Sequence, residues 1–326
     1  MSAKESKGSN RLRNIAFFSI IACCVIVAMR ALTFSVNIPA EKNNDTLYRE
    51  HVAENYKIFS LATPDKMEFA GERVPLEDID IRERLDKELT INTYWHSATM
   101  FMIKRSNRWF PTIERILREE GIPEDFKYIA AIESNFDHVV SPAGASGFWQ
   151  FLRATGQSYG LEVNGFVDER YNLEKATRAA CKYFKDAYAV LGNWTLVAAS
   201  YNMGVGGVQS KVKEQQSKNY YDLYLNSETH RYVFRALAAK EILSKPADYG
   251  FNVRPKDLYP AYETKTIEID SSISDLKSFA QTQGTNLKIL KLLNPWLRDS
   301  SLPNKVRKKY ALLLPKEDFA LKPVAP

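Results

Sequence analysis

From residue 76 to residue 245 the apolar side chains recur every three or four positions, and no run of comparable strength alternates as a strand would. This pattern requires an all-helical domain whose stripes face a shared core. Residues 79–89 and 94–108 read as helices. Pro111 stands at a first-turn position and is expected to open another helix, which Gly121 closes. Pro123 opens the next. Further helices are predicted over 172–191, closed by Gly192, from the N-cap Asn193 through Tyr201, and over about 228–243, ending before Pro246.

After Pro246 the character of the chain changes. Residues 264–269 alternate as a strand, 273–281 and 286–293 read as short helices, and 310–314 read as a second strand. The fold class is therefore mainly α, with a small α+β module of β-α-α-β order behind the helical domain. The expected boundaries are an N-terminal segment 1–36, a linker 37–75 with one helix around 48–59, a helical domain 76–250, the module 260–316 and a tail 317–326. With 326 residues, 45% of them hydrophobic, the chain can bury at least one substantial core.

The net charge of +6 comes largely from basic residues near the two ends. Such a balance suits an anionic surface, although a solvated basic face gives the same count. Residues 15–29 form an unbroken apolar run after Lys4, Lys7, Arg11 and Arg13, interrupted by Arg30 before the run resumes to Val36. This reads as an uncleaved signal anchor that leaves the N-terminus in the cytoplasm and the rest of the chain outside it. The stretch Ile20-Ile21-Ala22-Cys23 also resembles a lipoprotein box, with Cys23 as the acylated residue, yet the sequence stays apolar beyond it. Of the three cysteines only Cys181 lies outside this segment, on a helical stripe with Ala180 and Phe184, where a small core residue is expected.

Glu133 is the chemically unusual position. Phe126, Ile129 and Ala130 form a helical stripe that Glu133 continues, so one carboxylate occupies a place where a hydrophobe belongs. Moving a carboxylate toward low dielectric raises its pKa, and a proton held near neutral pH is what a general acid requires. A buried ion pair with a Lys or Arg would produce the same stripe. Asp125, near the same helix start, suits the helix dipole, and Asp137 is the only local rival for a second catalytic carboxylate.

Three more landmarks share this domain. The run 141–150 combines Pro142, Gly144 and Gly147, a tight irregular turn, with Ser141 and Gln150, which supply hydrogen-bond donors and acceptors. Phe148 and Trp149 offer apolar faces for a ligand or for the core. The segments 200–204 and 228–232 contribute Tyr201, Asn202 and Tyr232. His51, His96, His138 and His230 lack ligand spacing, no acidic calcium loop appears, and Ser134 and Ser141 lack a His and Asp partner set. Neither a metal nor a cofactor is expected.

The pair Glu133-Ser134, the element Gly147-Phe148-Trp149-Gln150, the segment Ser200-Tyr201-Asn202 and the late Tyr232, in that order, resemble the lytic transglycosylases with a goose-type lysozyme fold (the SLT domain), nearest the membrane-bound D type. The resemblance implies a lysozyme-like helical domain, Glu133 as catalyst, and Ser134, Ser141, Gly147, Gln150, Tyr201, Asn202 and Tyr232 in the substrate cleft. Tyr201 would hydrogen-bond near Glu133 or the reacting sugar, and Tyr232 would line the wall opposite Glu133. It also implies cleavage of the bond between N-acetylmuramic acid and N-acetylglucosamine without water, giving 1,6-anhydro ends. Glu133 would act first as acid and then as base, a scheme suited to a site with no evident second carboxylate.

The C-terminal module is similar to a LysM peptidoglycan-binding domain in its element order and in Asn294-Pro295. It departs from that pattern at Asp270-Ser271-Ser272-Ile273, which leaves a spacer role open. The expected partners are peptidoglycan glycan strands and, through the N-terminal segment, a membrane, with the catalytic domain in the periplasm and no nucleic acid. A hydrolytic goose-type lysozyme and a catalytically silent wall-binding protein remain the alternatives.

Overall fold

Several helix starts among the described residues are set by capping side chains, and helix faces by the apolar spacing. The computed structural model describes residues 58–316 together with Asp45, Leu47, Arg49 and Glu50, the last four helical. The apolar run 15–29, Cys23, His51, most of the helix expected over 48–59 and the tail 317–326 lie outside the described residues. Among the described residues no helix is long and apolar enough to cross a membrane.

Residues 59–316 belong to one compact unit. It opens with a hairpin, β1 (Glu68–Phe69) against β2 (Glu72–Arg73), turned through Ala70 and Gly71 at φ 54° and 80°. This stretch reads as linker in the sequence, yet Phe69 and Val74 are buried in the helical core. Strands of two residues carry too little alternation to register as strands. The hairpin also caps a distant helix, since the Glu72 carboxylate accepts from the backbone N–H groups of Trp194 and Thr195 at 2.6 and 2.9 Å.

Two long helices follow, α1 (Ile79–Tyr94), capped by Asp78, and α2 (His96–Glu119). The expected break at Pro111 does not occur, because α2 runs through it. An interior proline costs about 3 kcal/mol. Burial of Met102 and Ile103 before it and of Ile113, Ile116 and Leu117 after it, each worth about 1.5–3 kcal/mol, outweighs that cost. A 3₁₀ turn at Glu124–Phe126 then leads into α3 (Lys127–Ser134), and α4 (Arg153–Ser158) follows the irregular 141–151 segment.

The remaining helices of the domain are α5 (Leu173–Leu191), α6 (Trp194–Met203), α7 (Val205–Gln215) and α8 (Ser227–Ser244). Asn172, Asn193 and Asn226 cap α5, α6 and α8, each side chain accepting from first-turn N–H groups. Gly192 closes α5 at φ 68°, as expected. α8 is the central helix, packed along α1, α3 and α6. It buries residues on nearly every side, with Ala236, Ala238 and Ala239 admitting close neighbours. Cys181 is fully buried, and desolvation pushes its thiol up to about 12, so it serves as a small core residue.

The module has the predicted order. β3 (Thr264–Ile269) pairs antiparallel with β4 (Tyr310–Pro315) in the register Thr264↔Pro315 to Ile269↔Tyr310. Between them lie α9 (Leu276–Thr282) and α10 (Leu287–Leu293), capped by Asp275 and Asn286. The first helix starts three residues later than expected because Ile273 bridges Leu302 and Asp275 takes the cap. Asn294 is fully buried and exchanges two hydrogen bonds with the backbone of Leu313, at 2.7 and 2.8 Å. This residue clamps the second helix to the sheet.

Candidate active site

Glu133 lies in the last turn of α3, above the fully buried Phe126, Ile129 and Ala130. The helix stops at once, with Asn135 and Phe136 both left-handed at φ 50° and 51°. Arg105 donates to the Asn135 carbonyl at 2.9 Å, and the Asn135 amide donates to Ala98 at 3.1 Å, which together hold this costly turn. The helix therefore ends with the Glu133 side chain mostly, but not fully, buried.

The Tyr232 phenol, from the buried centre of α8, donates to Oε1 of Glu133. Burial raises the Glu133 pKa above the ordinary carboxylate range. The Tyr232 hydrogen bond and the positive field of Arg235 oppose that rise, and the charge of Glu228 adds to it. Arg235 does not grip the carboxylate itself; its guanidinium donates to the Ile132 carbonyl at 2.7 Å. Tyr232 is held well above its usual pKa, by burial first and by the Glu133 charge second, so it remains a donor.

Tyr201, expected near Glu133 or the reacting sugar, donates its hydroxyl to the Trp149 carbonyl at 2.7 Å. Its pKa rises through burial and the charge of Glu133, so it sits within that field. Tyr232 thus touches the Glu133 carboxylate, and Tyr201 supports the loop. Asn202 donates to Glu228 at 2.9 Å and accepts from the Thr229 hydroxyl at 2.6 Å. Glu228, exposed on α8 one turn before Tyr232, is a carboxylate near the site that the motif positions do not reveal. Its i, i+4 spacing to Tyr232 is the signal that places both on one helix face.

Within the 141–150 loop, Gly144 N–H donates to the Ser141 carbonyl at 2.8 Å and Ala145 N–H to the Ser141 hydroxyl at 3.0 Å. The Ser141 hydroxyl proton meets no acceptor among the described residues. Gln150, left-handed at φ 47°, donates its amide to the carbonyls of Val139 and Gly147 at 3.2 and 2.8 Å, leaving Oε1 open. Half-buried Ser141 and Gln150 therefore present one donor and one acceptor.

Ser134 and Gly147 sit differently from these two. Ser134 is buried, donating to the carbonyls of Ala130 and Phe148 at 3.1 and 3.0 Å, so it fastens the loop to α3. Gly147, at φ 77°, lies against the backbone of Arg170, whose carbonyl oxygen would be 1.9 Å from any Cβ placed there. Phe148 and Trp149 are core residues, with the Trp149 indole donating to Thr177 at 2.9 Å. Asp125 is structural, accepting from Ala70 N–H at 2.7 Å and pairing with Lys240 at 2.8 Å. Asp137 is exposed and pairs with Arg105 at 2.9 Å. Among the described residues no group of three or more His, Cys, Asp or Glu side chains is arranged to hold a metal ion.

The arrangement is thus one desolvated carboxyl, fixed by a phenol, beside a loop that presents a donor and an acceptor. A family model described as the transglycosylase SLT domain matches residues 111–224, and one described as the soluble lytic transglycosylase C-terminal LysM-like domain matches 265–318. Over 247 residues the chain is 28% identical to membrane-bound lytic murein transglycosylase D of Escherichia coli strain K12, covering 73% of this chain and 53% of that protein. The same protein from Escherichia coli O6:H1 matches equally. The chain therefore spans about half the length of the curated relatives it matches. Among solved structures, the X-ray structure of an inactive mutant of lytic transglycosylase Slt from Pseudomonas aeruginosa aligns with a TM-score of 0.34 and 20% identity, covering 46% of this chain and 26% of that one. In family terms, the chain carries a transglycosylase SLT domain followed by a LysM-like domain of the soluble lytic transglycosylase C-terminal type.

Proposed function

We propose that this chain is a peptidoglycan lytic transglycosylase, cleaving the β-1,4 bond between N-acetylmuramic acid and N-acetylglucosamine to leave 1,6-anhydromuramoyl ends. The observation that carries this reading is the Glu133 carboxyl, desolvated at a helix end and bonded to Tyr232 through Oε1. Oε2 is left to hold a proton and hand it to the glycosidic oxygen. Once ionised, Glu133 sits where charge is disfavoured, so it readily takes the proton of the muramic C6 hydroxyl as that oxygen closes onto C1. Such a positioned acid and base contributes about 10² to 10⁴ in rate. Ser141 and Gln150 would hold the acetamide and hydroxyl groups, with Asn202 shaping the cleft.

The partners in this reading are glycan strands, met by a catalytic domain over about 76–250 joined by the 68–73 hairpin, and by the module over 260–316. The basic-flanked apolar run and the membrane-bound name of the Escherichia coli relative support an N-terminal anchor with both domains in the periplasm.

One observation favours a hydrolytic lysozyme instead: Glu228, oriented by Asn202, is a second carboxylate within the field of Glu133. Mass spectrometry of digested cell wall separates the two. Anhydro ends are expected, and their replacement by reducing ends alone overturns the transglycosylase reading. Loss of both kinds of end in folded Glu133→Gln checks the catalyst.

A further inference from the structure

The LysM-like module is joined to the helical domain by more than a connecting segment. Asp168 N–H donates to the Trp296 carbonyl at 2.9 Å and Arg298 N–H donates to the Phe166 carbonyl at 2.8 Å, with Val167 bridging Leu297 between them. Val167 and Tyr171, although part of the helical domain, are buried within the module's own hydrophobic core. Lys308 pairs with Glu162 at 2.5 Å, and the Tyr310 hydroxyl donates to the same carboxylate at 3.0 Å. A segment built from module bonds on one side and helical-domain bonds on the other behaves as a shared element.

That segment reaches the candidate active site through one side chain. The Arg170 guanidinium is buried and bidentate on Asp168, with Nε and one terminal nitrogen at 2.9 and 2.7 Å. Its other terminal nitrogen donates to the carbonyls of Gly144 and Phe151 at 2.9 and 3.0 Å, bracketing the loop that presents Ser141 and Gln150. The Phe151 carbonyl also accepts from Ser146 N–H at 3.1 Å, so the guanidinium completes the closure of the loop. The Arg170 backbone meanwhile forms the floor on which Gly147 rests.

We infer that the LysM-like module is a brace for the active-site loop: it holds the 162–171 segment, and the Asp168–Arg170 pair transmits that hold to residues 141–151. Arg170 and Asp168 are positioning residues, acting through Ser141 and Gln150. This assignment rests on the proposed transglycosylase site for its catalytic consequence, but the mechanical link is measurable without it.

The test uses the full chain and two variants. Arg170→Lys keeps the charge and loses the fork. Lys308→Met/Tyr310→Phe removes the module's side-chain bonds to Glu162 while leaving the loop and its bracket unaltered. Amide hydrogen exchange over 141–151 is expected to accelerate on the order of tenfold in both variants, relative to α5 and α8 in the same sample. On a soluble glycan of two disaccharides, kcat is expected to fall about 10- to 100-fold while KM moves about twofold, since small misplacements act mainly on the transition state. If the double variant cleaves the short glycan normally and is impaired only on whole cell wall, the module recruits polymer and the brace is wrong. Unchanged exchange over 141–151 in either variant also overturns it. If the wild-type chain cleaves no glycan, the functional reading fails, and the exchange data still decide the brace.

Discussion

The Tyr232 hydroxyl donates to Oε1 of Glu133, so a group from the middle of the central helix orients a carboxyl at the end of a neighbouring helix. Desolvation raises the Glu133 pKa and this hydrogen bond lowers it again, because the phenol stabilises the charged form.

Replacing Tyr232 with Phe removes the stabilising donor and leaves the desolvation. Glu133 in this variant therefore stays protonated to higher pH than in the wild type. The alkaline limb of the kcat/KM profile should move upward in pH, while kcat at the optimum falls by about tenfold through lost orientation. A pH–rate series on solubilised glycan strands measures both. A limb that moves downward would mean that Tyr232 does not act on Glu133 through its hydroxyl.

Glu133→Gln separates a general acid from a buried ion pair by its effect on stability. The folded-state pKa of Glu133 lies above its unfolded value. Its contribution is then fully present below the unfolded value, about pH 4.3, and is lost as pH rises through the folded value. Gln has nearly the same shape and no charge to desolvate, so it escapes the loss. The variant should gain Tm relative to wild type on going from pH 4 to pH 8, with activity reduced about 10² to 10⁴-fold. Thermal unfolding at the two pH values checks the sign. An ion pair with Arg235 would reverse it, making the variant lose ground as pH rises.

The sequence disclosed most where one helix contained the whole signal. The stripe ending at Glu133, the Asn193 cap of α6 and the elements of the module all depend on residues within a few positions of one another. Pro111 misleads because local preference favours a helix start, whereas buried side chains on both sides keep α2 continuous. α7 escapes notice because Gly206 and Gly207 weaken its helical pattern. The partners of Tyr201 and Tyr232 depend on which carbonyl or carboxylate each phenol meets across the fold, 52 and 99 positions away in sequence. Arg170 is invisible for the same reason, since its contacts with Gly144 and Phe151 exist only after the loop has closed over it.

Gly147 offers the sharpest steric test of the loop, because it can be read either as a point of close sugar approach or as a packing position. Its φ of 77° suits glycine alone, and a Cβ would stand 1.9 Å from the Arg170 carbonyl oxygen and 2.7 Å from its carbon, both backbone atoms. Neither can swing aside as a side-chain end could. Gly147→Ala must therefore push the loop away from the 168–171 segment, at roughly 1–3 kcal/mol for overpacking and another 1–2 kcal/mol for the left-handed backbone. The expected result is a fall in Tm without substrate, accompanied by loss of activity. Gly144, also left-handed at φ 80°, has no atom within 4 Å of where a Cβ would stand, so Gly144→Ala bears the backbone cost alone and should lose less stability. Equal Tm values for Gly147→Ala and wild type would show that the loop does not rest on Arg170 in solution.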